Sequence, residues 1–278
     1  MSLDDLPPLR ESLAAAGILA RKGFGQHFLL DLNLSRKIVR LAEVAPGETV
    51  VEVGPGPGGL TRALLEAGAQ VIAIEKDARF LPLLEDLAAR AEGRLTVRHA
   101  DALETEPPPG APIVANLPYN VATPLLVGWL TAPVPPRSMT LMFQKEVADR
   151  IVAAPGSKDY GRLSVLAQAL TDARVVMDLP ARAFTPPPKV ASAVVRLTPK
   201  PVRPSADDVA RLQRVTAAAF GQRRKMLRSS LKGLGGEALC ATAGVNPAAR
   251  AEALTVAEFL TLAAQSGEQA GAPRGKPV

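Results

Sequence analysis

A glycine-rich loop between two apolar segments constrains the fold of this chain more than any other feature. Residues 54–59 have the sequence Gly-Pro-Gly-Pro-Gly-Gly, follow a β-branched run at 49–53 and precede a helix-like segment at 60–67. β-branched residues favour strands, and glycines allow the tight turn by which a strand leads into a helix. The match to the spacing G-x-G-x-x-G is weak alone, but here it stands between a strand and a helix. The loop therefore predicts one strand–turn–helix unit of an α/β fold.

Short apolar runs recur along the next part of the chain and alternate with helix-like segments. Further strands are predicted at 71–74, 95–97, 113–115 and 139–143. Strands separated by helices indicate a parallel sheet that is covered on both faces. Residues 174–179 and 190–197, joined by a proline-rich turn, are predicted as an antiparallel edge pair. The predicted fold class is therefore α/β, with a doubly wound, mostly parallel seven-stranded sheet.

The remaining segments predict how the chain is divided. Asp31 is placed to cap the first long helix, and residues 205–264 have helical periodicity throughout. A tail of glycine, proline and polar residues is expected to be disordered. The predicted parts are an α/β domain over 1–200 that includes an N-terminal arm at 1–22, a small all-helical domain over 201–265, and the tail over 266–278.

The composition excludes several classes of protein. Hydrophobic residues at 47% and charged residues at 22% are typical of a globular protein, and no apolar run approaches the roughly 20 residues of a membrane span. Cys240 is the single cysteine, and neither His27 nor His99 has a partner at metal-ligand spacing, so no metal site is expected. The N-terminus lacks the pattern of a signal peptide, which predicts a cytoplasmic location. The net charge of +6 favours a polyanionic partner.

Polar or glycine residues follow the ends of four successive predicted strands. They are Gly54, Glu75, Asp101 and Asn116. Glu75 follows Gly54 by 21 residues, where a carboxylate can hold the two hydroxyls of a ribose. Asp101 can accept the exocyclic amine of an adenine, or it can cap a helix. The two prolines of the loop remove N–H donors, which favours a ligand smaller than a dinucleotide. The set is more typical of S-adenosylmethionine-dependent methyltransferases than of dehydrogenases.

Residues 116–120, with the sequence Asn-Leu-Pro-Tyr-Asn, have a chemistry that suits an adenine amine. The Asn116 side-chain oxygen and the Leu117 carbonyl can each accept one N–H, and Tyr119 can stack on the ring. An ordinary strand-to-turn Asn-x-Pro is the alternative interpretation of this motif. Phe184 is a second candidate for stacking, and its alternative is a place in the core. Together these residues predict a pocket for a base removed from its stack.

With these residues assembled, the chain closely resembles the ribosomal RNA adenine dimethyltransferases, and among them the bacterial members that act on small-subunit RNA. The resemblance extends from about residue 22 to residue 231. Its segments are 25–29 (Gly-Gln-His-Phe-Leu), 52–56 (Glu-Val-Gly-Pro-Gly), 116–119, 144–150, 160–164, 184–190 and 219–225. Pro57, Ala191 and Gly221 differ from the residues common in the family, but none of them is assigned to the cofactor or the amine.

The resemblance implies a Rossmann-like domain that binds S-adenosyl-L-methionine. It implies cofactor contacts for His27, Leu29, Gly54, Gly56, Glu75, Asp101 and Asn116, and base-binding or catalytic roles for Asn116, Leu117, Pro118, Tyr119 and Phe184. The implied reaction transfers methyl groups to N6 of two adjacent adenines near the 3′ end of small-subunit (16S) ribosomal RNA. The implied partner is that RNA within the 30S subunit or its precursor, with the protein acting as a monomer in small-subunit biogenesis.

Two other functions stay open at this point. A large-subunit (23S) adenine N6-methyltransferase that confers antibiotic resistance would share the cofactor loop and an Asn-x-Pro-aromatic motif. The segments 184–190 and 219–225 favour the small-subunit enzyme instead. An NAD-dependent oxidoreductase could use the same glycine loop, but it would leave residues 116–120 unexplained.

A basic run in the predicted helical domain is the candidate surface for RNA. Helical spacing from Phe220 places Leu227 and Leu231 on an apolar stripe and the basic residues on an adjoining flank. The residues predicted to contact RNA phosphates are Arg223, Arg224, Lys225 and Arg228. A merely solvated helix flank is the alternative.

Overall fold

The computed structural model describes residues 6–20 and 26–268. Gly25 of the N-terminal motif, parts of the predicted arm and residues 269–278 of the predicted tail lie outside the described residues. One compact unit comprises the residues up to Ala148 together with Arg174–Thr198, and the other comprises Asp149–Ala173 together with the residues from Pro199 onward. The division of the chain at residue 200 stays a prediction.

The first unit is built on a seven-stranded sheet, which confirms the predicted fold class. The strands of the chain are β1 (Phe28–Leu29), β2 (Thr49–Val53), β3 (Gln70–Glu75), β4 (Leu95–His99), β5 (Ile113–Asn116), β6 (Met139–Gln144), β7 (Thr171–Leu179), β8 (Phe184–Thr185) and β9 (Ser192–Pro199). The sheet has the order β4-β3-β2-β5-β6-β9-β7, and β1 and β8 form a separate antiparallel pair. The first five strands in this order are parallel, and β9 runs antiparallel to β6.

The central strands are covered on both faces, as their apolar sequences predict. Val50, Val51, Ile113 and Leu141 are fully buried although neighbouring positions of a strand face opposite sides of the sheet. The helices of this part are α1 (Leu9–Ala15), α2 (Leu32–Ala42), α3 (Gly59–Glu66), α4 (Leu81–Arg90) and α5 (Tyr119–Thr131), and α6 (Lys145–Val152) begins in it and ends in the second unit. Asp31 caps α2 as predicted, since its carboxylate accepts the Asn33 N–H over 2.8 Å.

The parallel strands bring their carboxyl ends to one edge of the sheet. Val53 of β2 lies beside Ile74 of β3, and Glu75 lies beside His99 of β4. The loops that follow β2, β3, β4 and β5 therefore meet at this edge, where open α/β sheets bind their ligands. No helix within residues 6–20 and 26–268 is long and apolar enough to cross a membrane.

The second unit is helical, which confirms the predicted helical C-terminal region. Its helices are α7 (Arg162–Leu170), α8 (Ala206–Gly221), α9 (Leu227–Ser230), α10 (Gly236–Thr242) and α11 (Val256–Glu268). Aromatic rings form part of its core: Phe220 lies 5.4 Å from Phe259 and 6.0 Å from Tyr160, measured between ring centroids. The Ser205 hydroxyl and the Asp208 carboxylate form a capping box at the start of α8.

The basic segment does not continue α8, contrary to the helical spacing proposed for it. The helix ends at Gly221, and a turn follows in which the Lys225 N–H bonds to the Gln222 carbonyl over 2.8 Å. The first N–H groups of α9, those of Leu227 and Arg228, bond to the carbonyls of Ala249 and Pro247. A new helix therefore starts at residue 227, because the loop at 247–249 satisfies the donors that a helix start leaves open.

Candidate active site

A cavity of about 300 Å³ lies at the carboxyl edge of β2, β3, β4 and β5. Every residue predicted for the cofactor or the base, with the exception of Phe184, lines it. These residues are His27, Leu29, Gly54, Gly56, Glu75, Asp101, Asn116, Leu117, Pro118 and Tyr119. The cavity is within the size range of small-molecule sites, and its walls combine apolar side chains with a few polar groups.

The glycine loop packs directly against the Asn116 motif. Gly54 has a φ of 67°, and a Cβ on it would stand 3.4 Å from Pro118 Cδ. Gly56 has a φ of 54°, and its N–H donates to Glu75 Oε2 over 3.0 Å. The positive φ angles of both residues favour glycine. The loop and the motif are therefore two walls of the same cavity.

Glu75 is held by backbone donors at both of its oxygens. Oε2 accepts the Gly56 N–H, and Oε1 accepts the Asp77 N–H over 2.8 Å. Burial raises the pKa of Glu75, and the hydrogen bonds from Asp77 and Gly56 oppose that shift. A carboxylate offers about four acceptor positions, so this fixed group keeps capacity for further donors such as two ribose hydroxyls.

Asp101 makes local hydrogen bonds. It does not cap a helix, which was the alternative role considered for it. Oδ1 accepts the Leu103 N–H over 3.0 Å within a turn, and Oδ2 accepts a bond from Lys76 Nζ over 2.6 Å. The hydrogen bond from Lys76 is the main cause that lowers the pKa of Asp101. Because the Lys76 side chain is 64% exposed, it can turn toward solvent and release Oδ2 for the amine of a ligand.

The Asn116 side chain is oriented by the N-terminal segment. Its Nδ2 donates to the His27 carbonyl over 3.4 Å, which leaves Oδ1 available as an acceptor. The His27 ring in turn donates from Nδ1 to the Pro186 carbonyl over 2.8 Å. Leu117, the other predicted acceptor residue, has a buried side chain, so its backbone is firmly placed.

Tyr119 is fixed both at its hydroxyl and on one ring face. The hydroxyl lies 2.7 Å from Ser192 Oγ, and the ring stacks on His27 with a centroid distance of 5.6 Å and an interplanar angle of 28°. Burial raises the pKa of the Tyr119 phenol. A base that entered this cavity would therefore meet an aromatic ring whose position is already set.

Phe184 lies apart from the cavity lining. Its side chain is 3% exposed and belongs to the core cluster around Ile38 and Val194, while its backbone pairs with Leu29 between β8 and β1. This position agrees with the alternative considered for Phe184, which was a place in the hydrophobic core. A stacking role would require its ring to leave that packing, and it stays a prediction.

Sequence reasoning gave no role to several polar residues that line the cavity, among them Gln26, Glu52 and Asp77. The Asp77 carboxylate accepts bonds from Gln26 Nε2 over 2.9 Å and from Arg79 Nη2 over 2.5 Å, and Arg79 is the main cause that lowers its pKa to about 2. The charged residues directly after β3 were the signal that could have pointed to Asp77. Glu52 is 1% exposed, and its Oε2 has no hydrogen-bond partner among the described residues.

The predicted RNA-contacting residues are all exposed on the second unit, but they differ in their contacts. Arg223 Nη2 donates to the carbonyls of Lys158 and Tyr160 over 3.0 and 3.1 Å, so its guanidinium is anchored to the protein. The side chains of Arg224, Lys225 and Arg228 make no hydrogen bond or ion pair to any part of the chain that the structure describes.

A family model described as ribosomal RNA adenine dimethylase matches residues 17–266. The chain belongs to this family. It is 63% identical to the ribosomal RNA small subunit methyltransferase A of Phenylobacterium zucineum, over 99% of this chain and 100% of that protein. It is 69% identical to the protein of the same name from Caulobacter vibrioides, over 88% of this chain and 96% of that protein.

Two solved structures of similar fold agree with this assignment. A dimethyladenosine transferase from Plasmodium falciparum has a TM-score of 0.76 at 26% identity and covers 88% of this chain and 98% of its own. The 23S rRNA methyltransferase ErmE has a TM-score of 0.66 at 29% identity and covers 86% of this chain and 99% of its own. The resemblance drawn from the sequence is thereby confirmed, and the oxidoreductase alternative has no support.

Proposed function

We propose that this dimethylase transfers methyl groups from S-adenosyl-L-methionine to N6 of two adjacent adenines near the 3′ end of small-subunit ribosomal RNA, as a step in small-subunit biogenesis. The observation that carries the proposal is the contact between the glycine loop and the Asn116 motif. Pro118 Cδ lies 3.4 Å from the Cβ position of Gly54, so a cofactor loop and an amine-binding motif share one cavity. The names of the two bacterial relatives favour small-subunit RNA as the substrate.

The residues of the cavity fit the proposed cofactor. Gly54 and Gly56 keep the loop free of side chains where a ligand would lie against it, and Glu75 keeps acceptor capacity for ribose hydroxyls. Asp101 is placed to accept an adenine amine once Lys76 releases Oδ2. His27 and Leu29 line the same cavity and would face the methionine end. When bound, S-adenosyl-L-methionine supplies an electrophilic methyl group, so the protein needs no metal to activate the donor.

The chain's own residues then have to hold the acceptor nitrogen. Asn116 Oδ1 and the Leu117 carbonyl would each accept one N–H of the adenine amine and align its nitrogen with the methyl group. Acceptors fixed in advance also stabilise the positive charge that develops on that nitrogen. The bond from Asn116 Nδ2 to the His27 carbonyl supports this arrangement because it occupies the donor side of the amide and leaves Oδ1 as an acceptor. In the second methylation one N–H is gone, so one of the two acceptors has no proton to bind.

The target adenine has to leave its stack, and an aromatic face offsets part of that loss. Tyr119 would provide this face opposite to the one that His27 covers. Arg224, Lys225 and Arg228, which are exposed and unpaired among the described residues, would hold RNA phosphates and so position the RNA by its shape. Phe184 would be the second face of the base only if its ring moved out of the core.

The decisive experiment incubates the protein with labelled S-adenosyl-L-methionine and with small or large ribosomal subunits that lack these methyl groups. We expect label at N6 of two adjacent adenines of small-subunit RNA. Asn116→Ala should lower single-turnover transfer about 100-fold or more, as the loss of a fixed transition-state acceptor does. Tyr119→Phe loses only the hydrogen bond to Ser192, so its rate of methyl transfer should stay well above that of Tyr119→Ala. Label on large-subunit RNA, or near-normal transfer by Asn116→Ala, would contradict the proposal.

A further inference from the structure

Glu52 is a buried carboxyl group on the wall of the cavity for which the proposed reaction has no use. It is the penultimate residue of β2, lies beside Ala73 of β3 and is 1% exposed. Its Oε2 has no hydrogen-bond partner among the described residues. An unpaired buried polar atom destabilises a fold, so its presence at a ligand cavity points to a partner that arrives with the ligand.

Among the residues that the structure describes, no cation pairs with Glu52. Glu75 acts on it from β3, and the Thr61 hydroxyl on α3 is the neutral group that acts on its carboxyl. Burial raises the pKa of Glu52 to about 8, the Thr61 hydroxyl opposes this shift, and the charge of Glu75 adds to it. Glu52 therefore carries its proton at pH 7 when the cavity holds no ligand.

The cavity as a whole is short of positive charge. Among the described residues, the lining has one amino group, that of Lys76. It has four carboxyl groups, those of Glu52, Glu75, Asp77 and Asp101. Lys76 Nζ is bound to Asp101, and Asp77 is paired with Arg79. Glu75 has no cation but is held by two backbone N–H groups, so Glu52 is the acid of this set that has neither a cation nor a hydrogen bond at Oε2.

We propose that Glu52 is a cofactor-binding residue that holds its proton in the free protein and releases it to solvent when the cationic end of the methyl donor enters the cavity. The inference rests on the proposed use of S-adenosyl-L-methionine. That donor carries a sulfonium and an ammonium against one carboxylate, whereas the product S-adenosyl-L-homocysteine has lost the sulfonium charge. A cation beside a buried carboxyl favours its ionised form, so the donor binds to the carboxylate of Glu52 and the proton goes to the buffer.

Two consequences separate this role from a structural one. Donor affinity should rise with pH by up to about tenfold per pH unit below pH 8 and level off above it, because one proton is released on binding. The affinity of the product should rise less, since it brings less positive charge. Glu52 would therefore let the protein distinguish the donor from the spent product, and more strongly at higher pH.

The test is calorimetric titration of the full-length protein with S-adenosyl-L-methionine and with S-adenosyl-L-homocysteine, between pH 6 and pH 9, in buffers of different ionisation enthalpy. Glu52→Gln keeps the size of the side chain but cannot ionise, and Glu85→Gln is a matched control on the exposed side of α4. We expect wild type and Glu85→Gln to release a large fraction of one proton per donor near pH 7, and less per product. Glu52→Gln should lack this release, and its donor affinity should depend less on pH.

Equal proton release by wild type and Glu52→Gln would overturn the inference while leaving the proposed function in place. A wild-type protein that does not bind the donor at all would overturn the proposed function instead. An infrared difference spectrum of the wild-type protein needs no variant and covers the case in which Glu52→Gln fails to fold. The absorption of a protonated carboxyl group should disappear when the donor is added, and its persistence would contradict the proposal.

Discussion

The side-chain amide of Gln26 donates a hydrogen bond to the Asp77 carboxylate over 2.9 Å, and 51 positions of the chain separate the two residues. Arg79 extends this link, since it bonds to the Asp77 carboxylate, to the Gln26 side-chain oxygen and to the Leu19 carbonyl. The Asp77 N–H also bonds to Glu75. One network therefore joins the segment beside β1 to the proposed ribose-binding carboxylate.

Asp77→Asn should weaken this network and with it the binding of the cofactor. The variant loses the charge that holds Arg79 and Gln26, and charge-assisted bonds are about twice as strong as neutral ones. We expect the affinity for S-adenosyl-L-homocysteine to fall about tenfold, which corresponds to about 1.4 kcal/mol. Asp86→Asn is the matched control, because Asp86 pairs with Arg90 on the surface of α4, away from the cavity. Calorimetry on both variants checks the prediction, and an unchanged affinity in Asp77→Asn would show that the network is only structural.

Gly54→Ala should destabilise the protein and close part of the cavity. An alanine at a φ of 67° is strained by about 1–2 kcal/mol, and its Cβ would fill space in the cavity wall beside Pro118. Gly128→Ala provides the contrast, since Gly128 lies in α5 with no atom within 4 Å of its Cβ position. That change should be neutral or stabilise the helix by up to about 1 kcal/mol. Chemical unfolding of the two variants measures the difference, and equal stabilities would refute the argument from φ.

The strand ends that form the site could be predicted from the sequence because each follows a short apolar run. The β-branched run of β2 and the positions of Glu75 and Asn116 were enough to place them on one sheet edge. The link between Gln26 and Asp77 could not be predicted in this way, because it depends on which loops meet in space. The place of Phe184 depends on the pairing of β8 with β1, which two residues on each strand do not reveal.

The basic segment of the second unit should divide into anchoring and RNA-contacting residues. Replacement of Arg224, Lys225 and Arg228 by Gln should reduce the slope of log affinity for RNA against log salt by about one for each phosphate that is no longer bound. Arg223→Gln should leave that slope nearly unchanged and lower the melting temperature, because Arg223 holds the carbonyls of Lys158 and Tyr160. Filter binding of the RNA between low and high salt measures the slopes. A slope lowered by Arg223→Gln but not by the triple variant would reverse the assignment.

Glu52 should make the unliganded protein less stable as the pH rises. Its pKa is about 8 in the folded protein and near 4.5 in the unfolded chain, so between these values only the folded state keeps the proton. The contribution of Glu52 to the free energy of unfolding is therefore greatest below pH 4.5. It falls as the pH rises toward 8 and is constant above pH 8. Glu52→Gln removes this contribution and should gain stability relative to wild type between pH 5 and pH 8, by at most about 4 kcal/mol.

Since burial also raises the pKa of Glu75, the pH dependence of the wild-type stability does not isolate Glu52. The comparison with the variant does. Urea unfolding at pH 5 and pH 8 measures both proteins, and a stability difference that stays constant between the two pH values would contradict the raised pKa of Glu52.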